Sequence, residues 1–406
     1  MAVTSELLAP PAPSLEQAPL VPRFEKQGYD EDSVAARRIW LEKKTGARLA
    51  HVGSYSISSK DMRGNIENPV GVSQVPLGLA GPLLIHGAYA RGVFYVPLAT
   101  TEGALVRSYE RGMTTLTRAG GATTRVVRDE NRASPVFLFS DVAAAYEFAS
   151  RLDESFGRIR EEAESTTGHG KLLRLECQPV GREVIVHFCY FTADAHGMNM
   201  IVKATEHACQ WILRHSQAID FYLFSGACSE KHGSGSLFSG GKGKKVVAGA
   251  LLSSALINNY LHLSPAQLVE MWHHTVLGHM QSNALGYNGH YANGLAALFI
   301  ACGQDVANLV NSAVGITNFE LTKNNEVYVS VTLPSLTVAT VGGGTGLGTA
   351  RECLAMMHVA GEGGALKLAE IAAATLLAGE ISIGAAIASG EFVSAHEQYG
   401  RNRPEA

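Results

Sequence analysis

Residues 134–227 carry an alternation of strand and helix signals that restricts the fold more than any other part of the chain. The predicted elements, in order, are a strand over 136–139, a helix from a Ser140-Asp141 cap to residue 160, strands over 172–178 and 183–190 joined by a turn over 179–182, a helix over 198–215 and a strand over 221–224. This βαββαβ order is that of the ferredoxin-like unit. It predicts a compact α+β domain.

Long segments rich in Ala, Gly and Leu flank this domain and have helical spacing, as at 265–282, 292–301 and 364–389. With 406 residues, the chain exceeds the roughly 250 to 300 residues at which a single core stops growing. We therefore predict an α+β fold in which a large, mainly helical domain (51–127 and 226–378) holds an inserted ferredoxin-like domain (128–225). A leader and helical segment (1–50) precede them, and a C-terminal segment (379–406) follows.

The charge and hydropathy of the chain argue against two classes of partner. The net charge is −4 and basic residues are scattered, so nothing predicts binding to nucleic acid or to an anionic membrane surface. No apolar run approaches the roughly 18 residues of a membrane span, because Gly379 and Glu380 interrupt the best candidate, 371–388. Residues 1–22 lack the basic-then-apolar order of a signal peptide and indicate a loose leader. We expect a soluble, cytoplasmic protein.

The cysteines show no CxxC spacing, and most lie in apolar segments. They are Cys177, Cys189, Cys209, Cys228, Cys302 and Cys353. This pattern favours reduced thiols in a cytosol over disulfides or zinc ligands, so we expect no metal.

Five short motifs hold the residues that could carry chemistry. They are Glu67-Asn68-Pro69-Val70-Gly71, Thr100-Thr101-Glu102-Gly103-Ala104-Leu105-Val106, Asp194-Ala195-His196-Gly197-Met198-Asn199-Met200, Gly303-Gln304-Asp305 and Val341-Gly342-Gly343-Gly344-Thr345. In kind and order they resemble the motifs of the class I, eukaryote-like 3-hydroxy-3-methylglutaryl-CoA reductases. The resemblance implies that the inserted domain binds NADP and that the large domain binds the substrate and CoA.

Glu102 and Lys231 are the first two candidate catalytic residues. The threonines and apolar run around Glu102 solvate a carboxylate poorly, so burial would raise its pKa toward that of a general acid; the alternative is a first-turn glutamate favoured by a helix dipole. Lys231 follows the last strand of the inserted domain, on a Gly/Ser-rich loop. It is either an ammonium that stabilises an oxyanion or a solvated surface lysine. The resemblance implies a proton-donating glutamate and a catalytic lysine, if one residue is deleted before Lys231.

Asp305 and His396 complete the predicted catalytic set. From the residues alone, Asp305 is a turn residue after an apolar helix, and His396 lies near the C-terminus, where histidines are commonly exposed. The resemblance implies that Asp305 orients the Glu102/Lys231 pair and that His396 protonates the departing CoA thiolate, a task that suits imidazole. Glu102, Lys231 and Asp305 would titrate as one network.

The resemblance also implies ligand-binding residues. The substrate contacts are Arg125, Ser225, Glu230, Asn293, Ser108 and Arg111. The nicotinamide-dinucleotide contacts are Asp194, Gly197, Met198, Asn199, Met200, Gly342, Gly343, Gly344 and Thr345. A helix opening at Met198 would attract phosphate, and the glycine run permits close backbone approach, although it lacks the GxGxxG spacing of a Rossmann unit. The stretch 240–244 lacks Walker A spacing, so we expect a turn with solvated lysines.

The chain departs from the family at three positions. His232 replaces a lysine, and a second expected lysine falls at His273 or His274, so the substrate carboxylate loses charge-assisted contacts worth roughly 1.5 to 3 kcal/mol each. Gly168 stands where relatives place an arginine for the 2′-phosphate of NADPH, and Lys171 or His169 could substitute. NADPH is therefore expected, with NADH open.

These observations predict a reductase that converts 3-hydroxy-3-methylglutaryl-CoA through mevaldehyde to mevalonate and CoA. The alternatives are a reductase of the same mechanism for another acyl thioester, and a catalytically silent paralogue that binds CoA or nucleotide. The Glu67–Gly71 motif resembles the segment through which family members dimerise, so we expect a dimer or a dimer of dimers with sites at the subunit interface.

Overall fold

The computed structural model describes residues 19–24, 28–393 and 397, and the chain divides into two compact units, 1–74 and 75–406. In the first unit, α1 (Glu31–Thr45) begins at Asp30, whose carboxylate accepts the Ser33 amide at 2.8 Å. The guanidinium of Arg37, which is fully buried, donates to the carbonyl of Pro69 at 3.1 Å. Arg38 donates to the carbonyl of Val70 at 3.1 Å. Hydrogen bonds from α1 therefore hold the Glu67–Gly71 motif against this helix.

The second unit is a mixed α/β structure. Its strands are β1 (Leu77–His86), β2 (Arg91–Ala99), β3 (Ala122–Ala133), β4 (Val136–Leu138), β5 (Lys171–Val180), β6 (Glu183–Phe191), β7 (Asp220–Tyr222), β8 (Gly243–Leu252), β9 (Ile316–Leu321) and β10 (Val327–Leu336). Its helices are α2 (Leu105–Arg118), α3 (Val142–Arg151), α4 (Phe156–Glu164), α5 (Met198–His215), α6 (Ser254–Leu256), α7 (Pro265–Gln281), α8 (Tyr291–Ala301), α9 (Leu309–Ser312), α10 (Gly348–Met356) and α11 (Ala365–Ala388).

Strand β3 is long enough to take part in two groups of strands. Its first part pairs with β1 in parallel and with β8 antiparallel, and its last residues, 131–133, pair with β6. On one side the order is β2-β1-β3-β8-β10-β9, and on the other it is β7-β4-β6-β5, with all neighbours of the second group antiparallel. Each group has its own hydrophobic core, and every fully buried member of the second core lies between Ala133 and Ile212.

The elements predicted over 136–224 are present in the predicted order, with one difference. The single helix expected to end at residue 160 is divided into α3 and α4 by a 3₁₀ turn, Leu152–Ser155. Asp153, Ser155 and Gly157 are weak helix formers, and their clustering accounts for the break. Asp141 caps α3 as predicted, because its carboxylate accepts the amides of Ala143 and Ala144, both at 2.9 Å.

The prediction of a mainly helical large domain is incomplete, because it omits most of a large sheet. Six strands, β1, β2, β3, β8, β9 and β10, form the larger group, and α11 packs on them. The Ala, Gly and Leu content of the flanks suggested helices. Burial does alternate along strands such as β8 and β10, but several of the less buried positions also carry apolar residues, so the sequence lacks the polar and apolar alternation by which a strand is recognised. The predicted helices at 265–282, 292–301 and 364–389 correspond to α7, α8 and α11.

The expectation that no apolar run approaches the length of a membrane span is wrong, because α11 does. By length and composition it could cross a membrane, but 83% of its most apolar window is buried inside the protein. Gly379 does not interrupt the helix. Its lack of a side chain leaves room for Tyr109 to pack against α11. Glu380 does not interrupt it either, because its buried carboxylate accepts the amides of Gly289 and His290. It is a core helix of the second unit.

Candidate active site

Lys231 and Asp305 form an ion pair at the surface of the second unit. The ammonium lies 2.8 Å from the Asp305 carboxylate, and both side chains are about half exposed. The turn that carries the lysine is tight, since Ser229 and Lys231 have φ angles of 56° and 58°. Burial alone would raise the pKa of Asp305, but hydrogen bonds from Lys231 and from the Ala307 amide outweigh it, so this pKa is lowered. The pair is therefore a charged ammonium held by a carboxylate.

The Gly303-Gln304-Asp305 motif packs directly on the glycine run. A Cβ at Gly303, which has a φ of 62°, would lie 2.3 Å from the carbonyl oxygen of Gly344, so only glycine fits there. The Gln304 amide bonds both backbone groups of Ala339, accepting at 2.7 Å and donating at 2.9 Å. These contacts hold Asp305 beside the Gly342–Gly344 turn.

The Asp194–Met200 motif meets the same turn. The Asp194 carbonyl accepts the Thr340 amide at 2.9 Å, and an isolated β-bridge joins Ala195 to Val341. The Asp194 carboxylate accepts the amides of Gly363 and Ala365, at 2.8 and 3.0 Å. That side chain therefore binds the protein's own backbone at the start of α11, and its assignment to a cofactor stays a prediction.

The geometry of these two motifs fits a phosphate-bearing ligand. Helix α5 begins at Met198 after Gly197 and has no side-chain cap, so its first amides, including those of Asn199 and Met200, have no intrahelical acceptor. Gly342 and Gly343 have φ angles of 83° and 55° with open space on the side of a Cβ. Thr345 is buried, and its hydroxyl donates to Gly342 at 2.7 Å. A nicotinamide dinucleotide fits such a surface.

Glu102 belongs to a second cluster, at the start of α8. Its carboxylate accepts a long, 3.5 Å hydrogen bond from the Asn293 amide, which also lies 3.2 Å from Nδ1 of His290. Glu102 precedes α2, whose N-cap is Ala104. Its side chain is exposed, so the expectation that burial would make it an acid is wrong. Two residues earlier, the Thr100 hydroxyl accepts the Glu102 amide at 3.0 Å and stabilises the turn before α2.

A cleft of about 180 Å³ opens beside this cluster. Glu102, Asn293 and His290 line one part of it, and Ser108 and Arg111 line another. The Ser108 hydroxyl donates to the Ser382 hydroxyl at 3.1 Å, and the Arg111 guanidinium donates to the Ser382 carbonyl at 2.6 Å. Arg111 also pairs with Glu391 at 3.2 Å. The cleft thus combines a carboxylate, an amide and a guanidinium with apolar walls.

The two clusters lie at opposite ends of α8. Asn293 is in its first turn and Asp305 follows its last, so the helix alone separates them by roughly 12 Å along its axis. Among the described residues, no hydrogen bond or ion pair joins Glu102 to Lys231 or Asp305. One chain therefore brings Lys231 and Asp305 together and leaves Glu102 apart.

The other predicted residues have separate surroundings. The exposed Arg125 donates to the carbonyls of His86 and Thr124, and the Ser225 hydroxyl donates to the Ser134 carbonyl at 2.6 Å. The positions that depart from the family, His232, His273, His274, Gly168, His169 and Lys171, are all exposed, and Lys171 pairs with Glu164. His396 lies outside the described residues.

Two lysines at 242 and 244 contradict the prediction of a turn with solvated lysines. Lys242 is fully buried and Lys244 is 3% exposed. Lys242 pairs with the carboxylate of Glu230, and Lys244 lies 3.0 Å from that of Asp129. Charged partners distant in sequence made both burials possible, and nothing in the local sequence indicated them.

His290 and Glu380 were also missed by the sequence analysis. His290 is buried, stacks on Tyr109 at 4.7 Å and has an Nε2 without a hydrogen-bond partner. Burial lowers its pKa to about 4, so the imidazole is neutral. The Glu380 carboxylate accepts the backbone amide of His290 at 2.6 Å and so fixes the position of this residue. The sequence did offer one indication of His290: it lies three residues before Asn293, so both side chains fall at the start of the same helix.

The fold and these clusters define an α/β oxidoreductase with an ammonium–carboxylate pair next to a glycine-rich turn. The description of the family whose model matches residues 33–401 is hydroxymethylglutaryl-coenzyme A reductase, and the chain belongs to this family. A 3-hydroxy-3-methylglutaryl-coenzyme A reductase from Methanocaldococcus jannaschii is 43% identical over 90% of this chain and 92% of that protein. Reductase 1 of Arabidopsis thaliana is 34% identical over 91% of this chain and 64% of that protein.

Among solved structures, the class II 3-hydroxy-3-methylglutaryl-CoA reductase from Streptococcus pneumoniae, bound to NADPH in open conformations, has a similar fold. The TM-score is 0.66 at 18% sequence identity, over 89% of this chain and 98% of that chain. This likeness confirms the mixed α/β architecture with its large sheet.

Proposed function

We propose that this protein reduces 3-hydroxy-3-methylglutaryl-CoA to mevalonate and free CoA, with two equivalents of NADPH consumed per mevalonate. The observation that carries the proposal is the 2.8 Å contact between Lys231 and Asp305, since the segment that holds Asp305 packs against the glycine run. The family membership and the 43% identity to an archaeal reductase over nine tenths of the chain support the substrate.

The reaction divides into two reductions. In the first, the thioester carbonyl carbon gains a hydride, the C–S bond breaks and the sulfur leaves as a thiolate that takes a proton, giving mevaldehyde and CoA. In the second, the aldehyde carbon gains a hydride and its oxygen a proton, giving mevalonate. When bound, the nicotinamide supplies the hydride in each step.

The residues of the chain stabilise charge and move protons. The Lys231 ammonium, fixed by Asp305, stabilises the oxyanion that forms in both steps. Glu102 donates the proton to the alcohol oxygen, and Asn293 orients its carboxylate. His396 protonates the CoA thiolate. The neutral His290 lines the cleft, and its buried Nε2 has no hydrogen-bond partner, so we assign it a hydrogen bond to the acyl group.

Arg125, Ser225 and Glu230 contribute to the substrate site together with Ser108 and Arg111 at the cleft. The nucleotide occupies the uncapped start of α5 and the Gly342–Thr345 turn. We assign NADPH as the cofactor, with His169 as the group nearest in sequence to Gly168 that can face a 2′-phosphate. The strand order β7-β4-β6-β5 and the separate core support an inserted ferredoxin-like domain over 128–225.

We also assign the chain to class I. Its 34% identity to the Arabidopsis relative over 91% of the chain supports this assignment. The 18% identity to the class II structure of similar fold is much lower.

A second copy of the chain completes the site in this proposal. Glu102 and Asn293 of one subunit would face Lys231 and Asp305 of another, because α8 separates the two clusters within one chain. Co-expressed subunits carrying Glu102→Gln and Lys231→Ala, isolated as hybrids with two affinity tags, should then have one intact site per dimer and about half of the wild-type activity. Hybrids as inactive as the parent variants would show that each site is built within one subunit.

The direct test is a spectrophotometric panel. Purified protein should oxidise NADPH with 3-hydroxy-3-methylglutaryl-CoA and release CoA, and Lys231→Ala should not. A second candidate function, reduction of another acyl thioester, is favoured by His232 and by His273 or His274, which are exposed imidazoles at positions where the resemblance implies lysines. Faster turnover of an acyl-CoA without a free carboxylate would select that candidate, and no oxidation with any acyl-CoA would leave only a binding protein.

A further inference from the structure

Lys242 is a buried ammonium that none of the proposed steps uses. Its side chain has no solvent exposure, and its Nζ lies 2.9 Å from Oδ1 of Asn131 and 3.3 Å from the sulfur of Met198. Its charged partner is the carboxylate of Glu230. Burying a lysine is costly, because desolvation disfavours the ammonium, and only a well-placed partner offsets that cost.

The partners of Lys242 belong to the two parts of the candidate site. Glu230 immediately precedes Lys231, and Met198 is the first residue of α5, at the predicted nucleotide site. Asn131 also donates to the carbonyl of His196, at 2.9 Å. The ammonium therefore lies between the loop of the catalytic lysine and the start of the nucleotide-binding helix.

No nearby imidazole can replace the charge of Lys242. His196 lies 3.5 Å from the other Glu230 oxygen, but burial and the Lys242 ammonium lower its pKa to about 3, so it is neutral near pH 7. Burial lowers the pKa of Lys242 itself to about 7. The ion pair with the Glu230 carboxylate offsets part of the cost of burying this ammonium.

We propose that Lys242 is a positioning residue: its ammonium holds the Glu230 carboxylate inward and thereby fixes the left-handed backbone at Lys231 that presents the catalytic ammonium to Asp305. The inference rests on the proposed function, since it assigns Lys242 to the same reaction. Glu230 and Lys231 are adjacent, and their side chains point to different partners, one buried and one exposed. Fixing one side chain therefore restricts the direction of the other.

The first test is a double-mutant cycle with Glu230→Gln, Lys242→Met and the double variant. If Lys242 acts through Glu230, then kcat for NADPH oxidation should fall about tenfold in Lys242→Met, and the double variant should be no slower than Glu230→Gln. Lys244→Met is the matched control, because Lys244 lies only two residues further along the chain and its buried ion pair, with Asp129, does not involve Glu230. Its kcat should stay within about twofold of the wild type.

Two results would overturn the inference. One is a Lys242→Met variant as fast as the wild type. The other is a double variant whose loss equals the product of the two single losses. If Lys242→Met fails to fold, the double variant, which leaves no unpaired charge, is compared with Glu230→Gln alone, and a further tenfold loss of kcat would again contradict the coupling.

A second readout needs no turnover and separates this inference from the proposed function. The amides of Ser229 and His232 donate within the turn, to Gly226 and Ser229. Hydrogen exchange at these amides should become about tenfold faster in Lys242→Met and remain unchanged in Lys244→Met. Unchanged exchange in Lys242→Met would refute the positioning role, even if the wild-type enzyme were inactive. If the wild type is inactive but exchange is faster in the variant, only the proposed reaction is refuted.

Discussion

Replacing Glu380 with glutamine should remove a pH-dependent loss of stability from this protein. The carboxylate is fully buried in α11 and accepts hydrogen bonds from the amides of Gly289 and His290 and from the hydroxyl of Thr317, the last at 2.8 Å. Burial raises the pKa of Glu380 from 4.5 to about 7, in spite of these hydrogen bonds. Glutamine has nearly the same shape and offers an oxygen to the same amides, but it never ionises.

The size of the effect follows from this pKa. Each pKa unit corresponds to about 1.4 kcal/mol, so the change from 4.5 to about 7 amounts to roughly 3 kcal/mol. Because the pKa is raised in the folded state, the stabilising contribution is fully present below the unfolded pKa and is lost as the pH rises through that of the folded protein. The wild type should therefore lose up to 3 kcal/mol between about pH 4.5 and about pH 7 from this group, and Glu380→Gln should not.

Urea unfolding of both proteins, followed by far-ultraviolet circular dichroism at several pH values between about 5 and 8, measures the difference directly. The free energy of unfolding of Glu380→Gln relative to the wild type should increase by roughly 2 to 3 kcal/mol across this range. Taking the difference between the two proteins removes the contributions of other titrating groups. Parallel curves would refute the reasoning, since they would mean that Glu380 is ionised in the folded and unfolded states alike.

Three further predictions concern the site. Lys231→Ala should abolish reduction of both 3-hydroxy-3-methylglutaryl-CoA and mevaldehyde, because each step develops an oxyanion at the same place; a variant that still reduces mevaldehyde at the wild-type rate would contradict this. Gly303→Ala would drive a Cβ into the carbonyl of Gly344 at 2.3 Å, so the melting temperature should fall and the dissociation constant for NADPH should rise, and wild-type values for both would count against the contact. Combining His232→Lys with lysine at His273 or His274 should leave turnover unchanged or lower the Michaelis constant for 3-hydroxy-3-methylglutaryl-CoA; weaker use of an acyl-CoA without a free carboxylate, together with improved use of 3-hydroxy-3-methylglutaryl-CoA, would instead favour the second candidate function.

The sequence predicted the smaller strand group well because its elements have strong local signals. The Asp141 cap and the turn between β5 and β6 are encoded within a few residues of the elements they limit. The period of the apolar residues in β6 and α5 also differs clearly. Such local information needs no knowledge of the tertiary structure, and the order of elements over 136–224 followed from it.

The features that the sequence did not reveal depend on partners distant along the chain. Lys242 is buried because Glu230 and Asn131 meet it, and Asn131 is 111 residues away. Glu380 sits in an apolar helix because amides 90 and 91 residues away satisfy it. The exposure of Glu102 was equally hidden, since the apolar run after it begins a helix that turns away from the carboxylate. For Lys242 and Glu380 the residue type suggested exposure, whereas for Glu102 the surrounding threonines and apolar run suggested burial.

Asp194 binds backbone amides at the start of α11, and the end of α11 lines the cleft, so the length of this helix is fixed at both ends. The helix starts at the turn where the predicted nucleotide motifs meet, and after 24 residues, roughly 36 Å, its last turns line the cleft of Glu102. One inserted residue would rotate everything beyond it by about 100° and advance it by about 1.5 Å. The side chains that line the cleft would then be displaced relative to the end of the helix that Asp194 binds. Side chains along α11 can therefore be exchanged for others of similar size more readily than the helix can be lengthened or shortened.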